Sequence, residues 1–246
     1  LVINKFVILI GKNSYILNSL IDYLFKNEML PALCFVFSRN NVEKYASEIN
    51  VNLFSYDDAH HPSIIRDQCQ KIIKKIPNYI DIVRLPEYEF IVSLLEKGIA
   101  IHHSGVLPIL REMVEILYGK GYIKVLFATE TFAVGINMPT KTVIFTSLSK
   151  YSDEGKRLLY SHEYTQMAGR AGRRGLDTKG YVIHCSNMFQ DEILLNDYKA
   201  ILSGKPQILD SKFKISYSLI LNIIAVNKVG LSNFINNSMM LSLIHI

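Results

Sequence analysis

The densest chemistry in the chain lies in ten residues, Gln166-Met167-Ala168-Gly169-Arg170-Ala171-Gly172-Arg173-Arg174-Gly175. Three of the eight arginines fall between positions 170 and 174, spaced by small residues. A guanidinium presents a rigid fork of donors that matches phosphate oxygens. If a helix runs through this segment, Gln166, Arg170 and Arg173 stand at i, i+4 and i+7 and project from one face. Gly169 and Gly172 would each cost about 1 kcal/mol in a helix interior. Their presence therefore points to a close approach by backbone or ligand.

A second segment runs from Phe127 to Pro139 and contains Thr129-Glu130-Thr131, Gly135 and Asn137. It begins where an apolar strand over 124–128 is expected to end. In open α/β sheets ligands collect beyond the carboxyl ends of strands. Thr129 is thus placed to donate to a phosphate oxygen, with Gly135 and Asn137 facing a ribose, and the arginines are expected at the same sheet edge. Taken alone, the segment reads better as an ordinary strand-to-helix connection with a Thr cap; its spacing to the arginine segment shifts that weighting. His102 and His103 are adjacent, but neither a carboxylate nor another His lies at ligand spacing, so no metal is expected. His60 and His61 read as surface residues.

These residues need a frame to hold them. The chain has 246 residues, 49% hydrophobic and 20% charged, with a net charge of +5. That composition excludes disorder and allows one large or two small domains. No apolar run reaches the roughly 18 residues of a spanning helix, so no membrane is expected. Cys34, Cys69 and Cys185 are too scattered for a disulfide framework. With no signal peptide, an intracellular, reducing location is expected. Both ends are apolar, from Leu1-Val2-Ile3 to Leu243-Ile244-His245-Ile246, as expected of a piece of a longer protein.

Strands are expected at 33–37, 99–102, 124–128, 142–146 and 181–185, alternating with helices in the manner of a parallel-sheet α/β domain. Helices are expected over 41–49, capped by Asn40, and over 108–118, closed by Gly119. The second helix has a stripe of Ile109, Met113, Ile116 and Leu117, with Arg111 and Glu115 paired on its wet side. The stretch 56–86 reads as irregular with one helix near 63–75. After Asn187 the alternation stops, and helices over 191–202 and 216–226 flank a Ser203-Gly204-Lys205-Pro206 break.

Together these residues resemble motifs V and VI of superfamily-two helicases. More narrowly, Ile101–Pro108, Lys124–Pro139 and Glu163–Asp177 are similar to the superkiller-type DExH RNA helicases associated with the exosome. The similarity covers 30–187 and continues weakly into 212–237. It implies an α/β fold: a RecA-like parallel sheet flanked by helices, followed by the helical start of a winged-helix domain. The implied domains are a lead-in helix and inter-lobe segment (1–29), the second RecA-like lobe (30–190), and a linker with a partial winged helix (191–246).

The resemblance also implies roles. Arg170 and Arg173 would be arginine fingers on ATP bound by a first lobe, with Gln166 near the γ-phosphate and its attacking water. Gly135 and Asn137 would touch the nucleotide ribose. Ser38, Arg39, His103, Ser104, Gly105, Thr129 and Glu130 would meet the RNA backbone. Tyr151, in the segment 147–157, reads equally as a base-stacking residue on a strand-separating hairpin or as part of a surface turn. The implied cofactor is ATP with Mg²⁺, the metal held by the first lobe. The implied partners are RNA with a 3′ tail, that first lobe and exosome adaptor proteins.

A phosphate-binding loop, GxxxxGK[ST], and a DExH box are absent: Gly11-Lys12 is followed by Asn13, and Phe6 replaces the earlier glycine. The parent is expected to be an ATP-dependent RNA helicase in RNA processing or decay, and this stretch alone to be inactive. The alternatives are the lobe of a related DNA-repair helicase and a non-catalytic nucleic-acid-binding module.

Overall fold

Four-residue strands whose side chains are buried on both faces form the centre of the fold. These are β1 (Ala32–Phe35), β2 (Ile99–His102), β3 (Val125–Ala128) and β4 (Thr142–Phe145). Near-continuous apolar runs of this kind suit a parallel sheet covered on both sides. In the computed structural model, which describes residues 11–51, 53–54, 60–133, 140–152, 155–189, 192–203 and 217–226, the sheet has order β2-β3-β1-β4-β7. Its last strand, β7, spans Tyr181–His184, and β5 (Ser149–Ser152) and β6 (Gly155–Leu158) form a separate antiparallel hairpin. The five strands run parallel and in step, so His102, Ala128, Phe35, Phe145 and His184 share the carboxyl end. The expected strands are recovered with shifts of at most two residues.

Helices cover the sheet. They are α1 (Asn13–Lys26), α2 (Arg39–Ser47), α3 (His61–Ile73), α4 (Tyr79–Val83), α5 (Pro86–Leu95), α6 (Pro108–Gly119), α7 (Ser161–Ala168) and α8 (Leu195–Leu202). Three expectations need correction. The stretch read as irregular with one helix holds two, α3 and α4, and ends where Pro86 opens α5, whose Tyr88, Ile91, Val92 and Leu95 form a buried stripe. Arg66 ties α3 to α5 through Glu89 and Glu96 at 3.0 and 2.8 Å. The helix expected from 41 starts at Arg39, with Ser38 rather than Asn40 at its extended N-cap.

On α6 the buried stripe is Leu110, Met113, Val114 and Leu117, while Ile116 is exposed. Glu115 turns to His102 instead of Arg111. Gly119 is the last helical residue rather than the closing one. The reversal falls on Gly121, at φ +80°, whose N–H reaches the Tyr118 carbonyl at 2.9 Å.

The chain divides into two compact units, Leu1–Lys205 and Pro206–Ile246. The first unit includes α1 and α8 with the sheet. Leu17, Ile21 and Leu24 of α1 are fully buried in its core, as is Ile201 of α8 at 4% exposure. In the second unit the described residues form one helix, α9 (Tyr217–Val226). Among the described residues no helix is long and apolar enough to cross a membrane.

His184 fastens the late elements to the sheet. One ring nitrogen lies 3.1 Å from the Tyr164 hydroxyl on α7 and the other bonds the Tyr198 hydroxyl on α8. Burial lowers its pKa from 6.5 to about 4. Between these values the unfolded chain binds a proton that the folded chain refuses. Stability from this group is therefore complete above pH 6.5 and is lost as pH falls towards 4, by about 3 kcal/mol at 1.36 kcal/mol per unit. Denaturant titrations at pH 7 and pH 5 should show the drop. His184→Gln should flatten it; an unchanged slope would show that His184 is not responsible.

Candidate functional site

The expected site residues divide between the two ends of the sheet. At the carboxyl end, Ser38 and Arg39 lead from β1 into α2, with Arg39 exposed. The turn 103–105 follows β2, and the turn 129–133 follows β3. The Thr129 N–H bonds the His102 carbonyl at 3.2 Å, and its hydroxyl lies 3.0 Å from that of Thr131. These turns form a continuous rim.

The paired histidines do not share a fate. His102 faces α6, with Nε2 2.8 Å from Glu115 Oε1 and its ring edge on Phe132 at 4.9 Å between centroids. His103 is only 2% exposed, which corrects its assignment as a direct RNA contact. Its Nδ1 accepts the Gly105 N–H at 3.1 Å, which puts the neutral ring's proton on Nε2, 3.1 Å from Glu43 on α2. Burial lowers the pKa of both rings. His103 thus supports the turn from below, and Ser104 and Gly105 are the residues that reach the surface. A Cβ at Gly105 would meet the His103 ring at 3.0 Å, so glycine is what lets that ring fit.

The arginine segment lies at the opposite end. The Thr140 N–H, two residues before β4, bonds the Arg170 carbonyl at 2.9 Å, and the Gly172 N–H returns to the Thr140 carbonyl at 2.6 Å. Thr140 also donates to the Pro31 carbonyl at 2.6 Å, just before β1. This is the amino end of the sheet, so the expectation that Thr129 and the arginines share one edge is wrong. β3 ends at the carboxyl end of the sheet and β4 begins at the amino end. Gly135 and Asn137 lie outside the described residues.

The helix-face expectation also fails. α7 ends at Ala168 with Gly169 as its C-cap. Gly172 then adopts φ +92°, which a helix cannot continue through. Gln166 remains on α7, exposed, while Arg170 and Arg173 follow it on a chain reversal. The close approach inferred from the glycines is real, but the approaching partner is Gly180: a Cβ there would sit 2.6 Å from the Ala171 carbonyl carbon.

Arg173 is held in place. Its Nε and Nη2 donate to the Asp177 carboxylate at 2.7 and 2.9 Å, and its backbone N–H adds a third bond at 3.0 Å. These bonds keep the Asp177 carboxyl at about 2. The fork leaves Nη1 and the outer N–H of Nη2 for an anion, which is the geometry a phosphate takes from an oriented arginine.

The segment 147–157 resolves as the β5–β6 hairpin, with Tyr151 73% exposed. Sequence reasoning assigned no part to Asp177, Gly180, Glu43 or Glu163. Asp177, four residues after Arg173, and Glu163, which accepts the Tyr160 N–H three residues before it, carried local signals. Glu43 and Gly180 act through contacts more distant in sequence.

Residues 67–175 match the helicase conserved C-terminal domain. The chain is 41% identical over 220 residues to Antiviral helicase SKI2 of Saccharomyces cerevisiae, covering 89% of this chain and 17% of that protein. It is 38% identical over 217 residues to Exosome RNA helicase MTR4 of Mus musculus, covering 86% and 20%. Against DExH-box ATP-dependent RNA helicase DExH10 of Arabidopsis thaliana it is 38% identical over 206 residues, covering 84% and 20%. The chain thus spans about a fifth or less of the length of these relatives.

Proposed function

We propose that the chain is a helicase C-terminal lobe of the superkiller-type and exosome RNA helicase family, which the match to the helicase conserved C-terminal domain and the 38–41% identities support, and that its parent uses ATP hydrolysis to move along RNA in processing or decay. One observation carries this reading: the residues suited to phosphate transfer and those suited to a nucleic-acid backbone occupy opposite ends of one rigid sheet. A lobe built this way can meet nucleotide at one end while holding RNA at the other.

At the amino end, Arg170 and Arg173 reach across a cleft to the phosphates of ATP bound by the first lobe. Gln166 stands behind them near the attacking water, and Gly135 and Asn137 contact the ribose. The Mg²⁺ belongs to the first lobe, which also supplies the phosphate-binding loop. At the carboxyl end, Ser38, Arg39, Ser104, Gly105, Thr129 and Glu130 form the RNA rim, and Tyr151 stacks on a base. Closure of the lobes on ATP and opening after hydrolysis alternates the grip on the strand. Exosome adaptors are the expected protein partners of the parent, and residues 191–246 the linker and partial winged-helix region.

Unwinding of 3′-tailed RNA and DNA duplexes by the parent tests the substrate class: faster RNA unwinding supports the reading, DNA preference points to the repair branch, and no ATP turnover to a binding module. Thr129→Ala should weaken RNA affinity about fivefold, the worth of about one hydrogen bond, with nucleotide affinity unchanged. Filter binding at two salt concentrations measures it. Equal losses in RNA and nucleotide binding would place Thr129 elsewhere.

A further inference from the structure

A junction of four charges joins the hairpin to α7. β5 and β6 place Lys150 opposite Arg157, and both turn towards the Glu163 carboxylate in the first turn of α7. Arg157 donates Nη2 to Oε1 at 2.8 Å and Nη1 to Oε2 at 2.9 Å. Lys150 Nζ lies 2.9 Å from Oε1, and the Tyr160 N–H bonds Oε2 at 2.9 Å. Lys150 also lies 3.6 Å from Glu130, on the turn that carries Thr129.

Exposed ion pairs contribute little because water competes for both partners. Here the Glu163, Lys150 and Arg157 side chains are only 18, 15 and 25% exposed. Burial alone would raise the Glu163 pKa, yet the bonds from Arg157, Lys150 and the Tyr160 amide more than offset it and bring the carboxyl to about 2. Two cations and two carboxylates balance, and the bidentate arginine fixes the angle as well as the distance. The Arg157 guanidinium also lies over the Tyr160 ring, 4.0 Å from its centroid. Three elements meet here: the 129–133 turn, the hairpin with Tyr151, and the helix that leads directly into Arg170.

We propose that Glu163 is the positioning residue that locks the hairpin and the Thr129–Glu130 turn onto α7, so that displacement of the arginine segment is passed to the nucleic-acid rim. The direction of that signal rests on the proposed function; the mechanical lock does not. Glu163→Gln keeps the shape of the side chain but presents an amide N–H₂ to one of the two cations, so the junction opens. The hairpin itself survives, because the Leu159 N–H still bonds the Leu148 carbonyl at its base at 2.8 Å.

The chain contains no tryptophan, so Tyr151→Trp installs a single fluorophore on the hairpin. In that background Glu163→Gln should raise the amplitude of nanosecond motion in time-resolved anisotropy about twofold, with far-UV circular dichroism unchanged. Arg157→Lys, which keeps the charge and loses the fork, should fall between. An anisotropy decay identical to the reference in both folded variants would overturn the lock; should Glu163→Gln not fold, Arg157→Lys decides alone. In the parent, Glu163→Gln should lower base pairs unwound per ATP about fivefold while RNA-stimulated kcat stays within about twofold. Parallel loss of both would overturn the coupling. A parent that hydrolyses no ATP would instead remove the proposed function and leave the lock standing.

Discussion

Replacing Arg173 by alanine in the parent helicase should reduce ATP hydrolysis by about 10³–10⁵, the range in which an arginine finger acts on phosphoryl transfer. The charge it stabilises develops as the γ-phosphate departs, so the loss should fall on kcat more than on nucleotide affinity. RNA affinity should hold, because Arg173 lies at the amino end of the sheet and the proposed RNA rim at the other. The alanine variant also takes both guanidinium bonds from Asp177, whose side chain is 3% exposed, and leaves it the backbone N–H of residue 173. A buried carboxylate that loses its charged partner is destabilising, so thermal denaturation must accompany the assay.

Arg173→Lys separates the two effects. It keeps a positive charge near Asp177 but cannot reproduce the Nε–Nη2 fork that aims the remaining donors. It should restore most of the lost stability and little of the lost rate. If lysine restored turnover, charge alone would suffice and the fork would be incidental. If RNA binding fell together with hydrolysis, Arg173 would be an RNA ligand.

Gly180→Ala should also be damaging, to a smaller degree, although position 180 carries no functional group. Its Cβ would lie 2.6 Å from both the carbon and the oxygen of the Ala171 carbonyl and 2.7 Å from the Gly172 nitrogen. That backbone cannot shift freely, since it is bonded on both sides of Ala171 to Thr140. Overpacking of this kind costs about 1–3 kcal/mol, and a displacement near 1 Å at a catalytic group costs about 10²-fold in rate. Gly119→Ala is the matched control: nothing lies within 4 Å of its Cβ, and alanine favours a helix end relative to glycine. It should leave rate and melting temperature equal to the reference or slightly higher. Equal behaviour of the two variants would show that the 171–180 contact does not position the arginines.

Much of this architecture was legible before any coordinates. Five strands lie within two residues of their expected places because runs such as Ala32–Phe35 and Val125–Ala128 are buried on both faces and have no other stable use. The close backbone approach expected at the arginine segment is present, between Gly180 and the 171–172 backbone. The expected helical conformation is not. The i, i+4, i+7 spacing of Gln166, Arg170 and Arg173 counts only while the helix lasts, and α7 ends at Ala168. The stripe of α6 was read one position out of phase, because Ile116 is as apolar as Leu110 and only the neighbouring elements decide which of them is covered.

Residue types and their order carried the resemblance to a helicase family, the parallel α/β class and the list of groups expected to bind phosphate. All three are written in local patterns, where each residue constrains only its near neighbours. The tertiary structure decided where those groups meet: the arginines against Thr140 rather than beside Thr129, His103 beneath its turn, and Glu163 at the crossing of three elements. Contacts between residues far apart in the chain depend on how β1, β4 and β7 are stacked, and no local pattern encodes which end of a strand a returning loop will reach.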